Sequence, residues 1–123
     1  MYRNFLFLII SSFLIFACND DDVFENICSE DNPTTDLDWL ASEIQTLEQS
    51  ELSQFFYVSQ AEYENMTVFI FGNCCPNCNT VIPVRNCSGE LVGIIGNGDD
   101  DIEVSILTKD TIIWKPNNFE CVE

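Results

Sequence analysis

Met66-Thr67-Val68-Phe69-Ile70-Phe71 is the stretch that decides the fold of this chain of 123 residues. It is rich in β-branched and aromatic residues, as buried strands are. A second such run, Phe55-Phe56-Tyr57-Val58, lies within the segment from Gln54 to Glu62, and Tyr63-Glu64-Asn65 provides a tight connection between the two. The sequence therefore predicts an antiparallel hairpin. Apolar side chains occur on both of its faces, since alternate residues of a strand point to opposite sides.

A helix is predicted before this hairpin and further strands after it. Apolar residues recur at helical spacing over about 36–49, and Thr34-Thr35-Asp36 offers capping side chains. The apolar set is Leu37, Leu40, Ile44 and Leu47, with Trp39 beside them. Thr80 to Arg85 and Leu91 to Ile95 predict a second hairpin, whose connecting segment contains Gly89, a residue able to take a positive φ. Ile102 to Leu107 fits a strand or a short helix, and Thr111 to Trp114 fits a last strand.

The predicted fold class is α+β: one N-terminal helix packed on an antiparallel sheet of four to five strands, stapled by disulfides. One helix covers one face of a sheet. The second face is then covered by the C-terminal segment and the disulfide loops, or partly exposed as a binding surface. The candidate residues for such a binding face are the aromatic ones of the first hairpin: Phe55, Phe56, Tyr57, Phe69 and Phe71.

The N-terminal segment 1–17 has one basic residue, Arg3, followed by an apolar run. The run is shorter than the ~20 residues that a membrane-spanning helix needs, as expected for a secretory signal peptide. Ile15-Phe16-Ala17-Cys18 resembles the lipobox of bacterial lipoproteins. The resemblance implies cleavage before Cys18 and acylation of that residue with palmitate-type chains, which would anchor the protein to a membrane.

An acidic run, Asn19-Asp20-Asp21-Asp22, follows Cys18. It resembles the export signal of surface-exposed lipoproteins of the Bacteroidota, which implies an outer-membrane protein at the cell surface. The alternative is a solvated tether on the periplasmic face. The predicted organisation is a signal peptide over 1–17, a lipidated cysteine and acidic tether over 18–33, and a single domain over 34–123.

The balance of charged residues limits the function. The chain has 21 acidic and 4 basic residues, a net charge of −17, and no histidine. Nucleic-acid binding is excluded because phosphate recognition needs clustered lysine and arginine, whereas a basic partner remains open. The absence of histidine excludes Ser-His-Asp and Cys-His catalysis as well as imidazole metal sites. The sequence implies no cofactor and no metal.

Apart from Cys18, six cysteines remain, and an even number in an exported chain predicts three disulfides. They are Cys28, Cys74, Cys75, Cys78, Cys87 and Cys121. Fifteen pairings exist. We expect Cys28 and Cys121, which bracket the domain, to bond and tie its two ends. Cys74 and Cys75 follow a strand and should bond to different partners, with Cys87 the candidate for one of them.

Cys75-Pro76-Asn77-Cys78 after a strand resembles the active-site turn of thioredoxin-like oxidoreductases. The resemblance implies an alternative function, a thiol–disulfide oxidoreductase that uses Cys75 and Cys78. The resemblance does not extend beyond this motif. The segment from Thr80 to Val84 is β-branched and contains Pro83, so it cannot form the long helix that this family places after the motif. A structural disulfide is therefore favoured. A zinc site is disfavoured, because exported cysteines usually oxidise.

Two short motifs have simpler explanations. The acidic segment 97–103 has oxygen ligands at alternating positions, as calcium-binding loops do. It departs from the EF-hand pattern, because Ile102 stands where the glycine should be and Thr108 where the bidentate glutamate should be. We interpret the segment as a solvated turn. Asp110-Thr111-Ile112 resembles the O-glycosylation sequon of exported Bacteroidota proteins, which makes Thr111 a candidate glycosylation site.

The whole pattern resembles a group of small Bacteroidota surface lipoproteins. The shared features are the acidic tether, the helix opening Asp36-Leu37-Asp38-Trp39-Leu40, the cysteine-rich turn and the final Ile113-Trp114. This resemblance implies a fold and a compartment, and no activity. The function predicted from the sequence is therefore a membrane-tethered, surface-exposed interaction domain whose partner is an extracellular protein or glycan.

Overall fold

The predicted hairpin forms the centre of the sheet. The structure, a computed structural model, describes residues 28, 30–78, 81–96 and 102–121, and this part of the chain is a small α+β fold. Its antiparallel sheet has five strands in the order β4-β3-β2-β1-β5. The strands are β1 Phe56–Tyr63, β2 Met66–Asn73, β3 Ile82–Arg85, β4 Leu91–Ile95 and β5 Thr108–Trp114.

β1 and β2 pair along their full length, from Phe56 opposite Asn73 to Tyr63 opposite Met66. Two residues connect them, Glu64 with φ 50° and Asn65 with φ 61°. A two-residue turn with both φ angles positive matches the right-handed twist of the strands it joins, which explains how so short a connection closes the hairpin.

Two consecutive helices occupy the segment for which the sequence predicts one helix over about 36–49. They are α1 Pro33–Asp36 and α2 Asp38–Glu48. Pro33 is the first residue of α1, where its missing N–H and fixed φ are tolerated. Leu37 separates the helices because its backbone is extended, with φ −93° and ψ 105°.

One core cluster lies between α2 and the sheet. It consists of Leu40 and Ile44 from α2 with Val58 and Phe69 from the two central strands. Leu40, Val58 and Phe69 have no exposed surface. Burial of such side chains stabilises a fold by about 1.5–3 kcal/mol each.

The opposite face of the sheet carries a second core cluster, which includes Val68 and Ile70 of β2 and Val84 of β3. Ile102, 5 % exposed, covers these residues from the segment after β4. That segment contains a 3₁₀ helix, Val104–Ile106, so the short helix and not the strand forms within 102–107. Apolar residues therefore cover this face of the central strands.

Three disulfides join the six cysteines other than Cys18: Cys28–Cys87, Cys74–Cys121 and Cys75–Cys78. Cys74 and Cys75 bond to different partners, as the alternation of strand residues predicted. The expectation that Cys28 bonds to Cys121 is wrong. The expectation that Cys87 bonds to Cys74 or Cys75 is wrong as well.

The position of the C-terminal segment explains the pairing of Cys121. The backbone N–H of Glu120 donates to the carbonyl oxygen of Gln54 at 2.9 Å, and the N–H of Cys74 donates to that of Phe55 at 3.0 Å. Because both segments run beside Gln54 and Phe55, Cys121 lies next to Cys74. Cys28 lies on the other side of the domain, near α2 and the turn that contains Cys87.

Candidate functional site

A groove lies beside α2 on the helix-covered face of the sheet, where β2 ends and β3 begins. Its volume is about 220 Å³. From α2 it is lined by Glu43 and Leu47, which are one helical turn apart. From the sheet it is lined by Phe56, Phe71, Gly72, Asn73, Val81, Pro83 and Arg85. Alternation along β2 and β3 puts the side chains of Phe71, Asn73, Pro83 and Arg85 on the α2 side of the sheet.

The groove exists because β3 separates from β2. β1 pairs with β2 as far as Asn73, whereas β3 pairs with β2 only at Phe69–Arg85 and Ile70–Val84. Pro83 has no N–H to donate to β2, and proline weakens a sheet ladder where it occurs. The last three residues of β2, 71–73, therefore have no partner in β3.

The walls of the groove carry both apolar and polar side chains. Leu47, Phe56 and Phe71 are half-buried, and Val81 at the rim is 41 % exposed. A concave apolar surface with a few polar groups is the usual composition of a ligand site.

Arg85 provides the positive charge of the groove. One guanidinium nitrogen, Nη1, donates to the carbonyl oxygen of Gly89 at 2.9 Å. Lys109 forms an ion pair with Glu62, and over the described ranges no carboxylate lies within ion-pair distance of Arg85. Since a guanidinium has five N–H donors, most of the donors of Arg85 remain for a ligand.

Asn73 and Glu43 complete the polar part of the groove. The Oδ1 of Asn73 accepts a hydrogen bond of 2.7 Å from the backbone N–H of Cys75. The amide group of Asn73 therefore keeps its two Nδ2 hydrogens as donors. Glu43 is exposed on the α2 wall and adds a carboxylate there.

The structure does not bring the five aromatic candidates together on one face. Phe56 and Phe71 line the groove. Phe69 is fully buried beneath α2, with its ring centroid 5.7 Å from that of Trp39 in an edge-to-face arrangement. Tyr57 lies on the opposite face of the sheet. Phe55 is half-buried in the 3₁₀ helix Ser53–Phe55, ahead of β1.

Sequence reasoning did not find Arg85, Glu43, Leu47 and Val81 as site residues. Arg85 carried a signal in the sequence, because it is one of four basic residues in a chain with 21 acidic ones. Helical spacing predicts that Leu47 lies on the core face of the helix, and it does pack against the core cluster that contains Leu40. Leu47 also lines the groove, and this exposure could not be predicted because it depends on where β3 separates from β2.

A second cavity of about 280 Å³ lies on the opposite face, under the C-terminal segment. It is lined by Tyr57, Ser59, Asp110, Ile112, Phe119 and the Cys74–Cys121 disulfide. The rings of Tyr57 and Phe119 meet edge to face at 5.9 Å. A larger, more open depression of about 660 Å³ runs along residues 112–115 at the sheet edge. Its described lining comes from a single strand and its end, which does not provide convergent polar groups.

Cys75 and Cys78 form a disulfide across a tight turn, in which the backbone N–H of Cys78 donates to the carbonyl oxygen of Cys75 at 3.4 Å. β3 begins at Ile82, four residues after Cys78. The long helix that thioredoxin-like enzymes place after their motif is therefore replaced by a strand.

Other predicted features lie outside the described residues. These are the lipidated Cys18, the export signal Asn19, Asp20, Asp21 and Asp22, and positions 97–101 of the acidic segment. Thr111 lies in β5 and is exposed.

Comparisons with protein-family models, with curated proteins and with solved structures find no match to this chain. None of the helices in the described residues has the length and apolar character needed to cross a membrane. Within the same residues, no group of three or more histidine, cysteine, aspartate or glutamate side chains is arranged to hold a metal ion. Function is therefore inferred from the chemistry of the groove itself.

Proposed function

We propose that this chain is a lipid-anchored surface lipoprotein whose domain acts as a non-enzymatic interaction module. The groove between α2 and the β2–β3 junction is its contact surface, and an extracellular protein or glycan is its partner. The observation that supports this proposal best is the groove, with apolar side chains in its walls and an arginine that has no carboxylate partner among the described residues.

The anchoring part of the proposal rests on the sequence at Cys18. Ile15-Phe16-Ala17-Cys18 supplies the lipobox, and Asn19-Asp20-Asp21-Asp22 supplies the export signal. The three disulfides support an oxidising compartment, because such bonds form and persist outside the cytosol. In this proposal 1–17 is removed, and 18–33 holds the tether and is bonded to the domain over 34–123 through Cys28–Cys87. The helical segment before β1 is the N-terminal element of that domain. The protein then belongs with the small Bacteroidota surface lipoproteins it resembles.

An interaction role accounts for the groove better than catalysis does. The chain has no histidine for general acid–base chemistry. The Cys75–Cys78 pair is followed by a strand, so no helix N-terminus is in place after the motif to lower a thiol pKa, which is the device that activates such cysteines. We therefore rank the thiol–disulfide oxidoreductase below the interaction module.

The anchoring is tested by metabolic labelling with a palmitate analogue and by protease treatment of intact cells. The wild-type protein should carry the label and be digested on intact cells. Cys18→Ala should lose the label and leave the membrane fraction, while its disulfide pattern stays unchanged. Retention of the label in Cys18→Ala would refute the anchor. Protection of the wild type from protease would place it on the periplasmic face.

The contact surface is tested by photo-crosslinking on living cells. A benzophenone amino acid is placed at Val81, at the groove rim, and in a second variant at Val104, which is 60 % exposed. Val104 is the matched control, since it does not line the groove. We expect a discrete adduct from position 81 alone. The same adducts from both positions would show that the groove is not the contact surface.

A further inference from the structure

We propose that the groove binds the free C-terminus of a polypeptide whose last residue is apolar, with the guanidinium of Arg85 holding the terminal carboxylate. This inference rests on the proposed function and names the chemistry of its partner. Four features of the groove lead to it: an arginine with unused N–H donors, apolar side chains in the walls, a small volume, and residues of β2 that have no partner in β3.

Arg85 is the residue that selects a carboxylate. A guanidinium forms two parallel N–H···O bonds to a carboxylate, and such charge-assisted bonds are roughly twice as strong as neutral ones. Its one described hydrogen bond, from Nη1 to Gly89, fixes the side chain and leaves other N–H groups unused. The side chain is half-buried, so a carboxylate bound to it is partly shielded from water.

The strongly negative charge of the chain does not prevent this binding. Charges more than about 8 Å apart are largely screened at physiological ionic strength, whereas a charge pair in contact, partly shielded from water, is screened much less. The local field of Arg85 therefore dominates over distant acidic residues. Glu43, on the α2 wall of the same groove, is the local exception. It opposes a second carboxylate, so a ligand with an acidic side chain should bind less well than one with an apolar side chain.

The size and shape of the groove favour a chain end over a larger ligand. Its volume of about 220 Å³ is below the range of roughly 300–1,000 Å³ that is typical for drug-sized ligands. Leu47, Phe56 and Phe71 offer contacts to a single apolar side chain. The residues 71–73 of β2 lack a partner in β3, so their edge can pair with the backbone of an extended peptide.

The inference is tested with N-acetyl-L-leucine and its primary amide as paired probes. They share the apolar side chain and the acetylated backbone and differ in the carboxylate. Binding is followed by amide chemical shifts of the full-length protein in detergent micelles. For probes of this size we expect dissociation constants in the millimolar range. N-acetyl-L-leucine should shift the amides of 71–73 and 81–85, and the amide form should bind at least 10-fold more weakly.

Variants assign the effect to the groove. Arg85→Gln should weaken binding of N-acetyl-L-leucine at least 10-fold, whereas Lys109→Gln, the matched loss of an exposed cation, should leave it unchanged. Because Arg85→Gln also loses the bond to Gly89, Val81→Glu provides a second variant. It adds a carboxylate at an exposed rim position without removing any described hydrogen bond, and it should weaken binding to a similar extent.

The outcomes separate this inference from the proposed function. Equal binding of the acid and the amide at the groove would overturn the carboxylate role of Arg85 and leave the groove as the contact surface. No shift at the groove with either probe would overturn the inference, whereas the contact surface is decided by crosslinking from position 81. Binding of 4-methylpentanoate, an apolar carboxylate without a peptide group, as tight as that of N-acetyl-L-leucine would refute a polypeptide end as the ligand. Selective binding of N-acetyl-L-leucine supports the inference.

Discussion

The indole Nε1 of Trp39 donates a hydrogen bond of 2.8 Å to the carbonyl oxygen of Cys87. Its ring lies against Gly89, where a Cβ atom would approach the indole to 2.9 Å. Gly89 also has φ 82°, so this position favours glycine for two independent reasons. Together with the Cys28–Cys87 disulfide, the contact fixes the start of α2 to the turn between β3 and β4.

Trp39→Phe should lower the free energy of unfolding by about 1–2 kcal/mol, because the half-buried carbonyl of Cys87 loses its donor. Denaturant titration measures the change. Trp114→Phe is the matched control: Trp114 is also half-buried, and no described residue accepts a hydrogen bond from its indole. An equal loss in the two variants would show that ring size, and not the bond to Cys87, stabilises the protein.

The parts of the fold that could be predicted from sequence are those set by local pattern. The run from Met66 to Phe71 specified a strand through its β-branched and aromatic residues, and Gly89 marked the second turn. The break of the helical segment at Leu37 was not predicted, because helical periodicity continues across it. The spacing of apolar residues carries no information about one extended residue between two helices.

The disulfide pairing and the groove could not be predicted for a different reason. Both depend on which distant segments meet. Cys121 bonds to Cys74 because its segment runs beside Gln54, and Cys28 bonds to Cys87 because the β3–β4 turn packs on α2. The groove depends on β3 leaving β2 near Pro83. Such contacts between residues far apart in sequence are a property of the assembled sheet.

Gly72→Ala should destabilise the protein by about 1–3 kcal/mol, the usual cost of overpacking. A Cβ atom at this position would overlap the ring of Tyr57, which rests on the glycine. In a Tyr57→Ala background the same change should cost little, and a double-mutant cycle by denaturant titration gives the coupling between the two sites. Additive effects of the two changes would show that the cost of Gly72→Ala does not come from the ring of Tyr57.

Glu64→Asn should stabilise the hairpin by about 0.5–1 kcal/mol. Glu64 has a positive φ, a conformation that asparagine tolerates better than glutamate does. Glu64→Val should have the opposite sign, because a β-branched residue is strained at positive φ. Thermal and denaturant unfolding of the two variants measure the difference. Stabilisation by valine would contradict the turn geometry.

Removal of the three disulfides one at a time should produce unequal losses of stability. Cys28–Cys87 and Cys74–Cys121 join residues 59 and 47 positions apart, whereas Cys75–Cys78 joins residues 3 apart. In the chain-entropy model, cross-links that close the two long loops contribute about 4 kcal/mol each, and the short one contributes about 2 kcal/mol.

The experiment replaces each bonded pair by two alanines and measures denaturant unfolding under non-reducing conditions, with peptide mapping to confirm the two remaining bonds. We expect the Cys75→Ala/Cys78→Ala protein to be the most stable of the three double variants. The Cys74→Ala/Cys121→Ala protein should also release the C-terminal segment, so that Phe119 no longer covers Tyr57 and tyrosine fluorescence changes before global unfolding. If loss of the short-loop bond were the most damaging change, the Cys75–Cys78 turn would have a structural role that its two-residue loop does not explain.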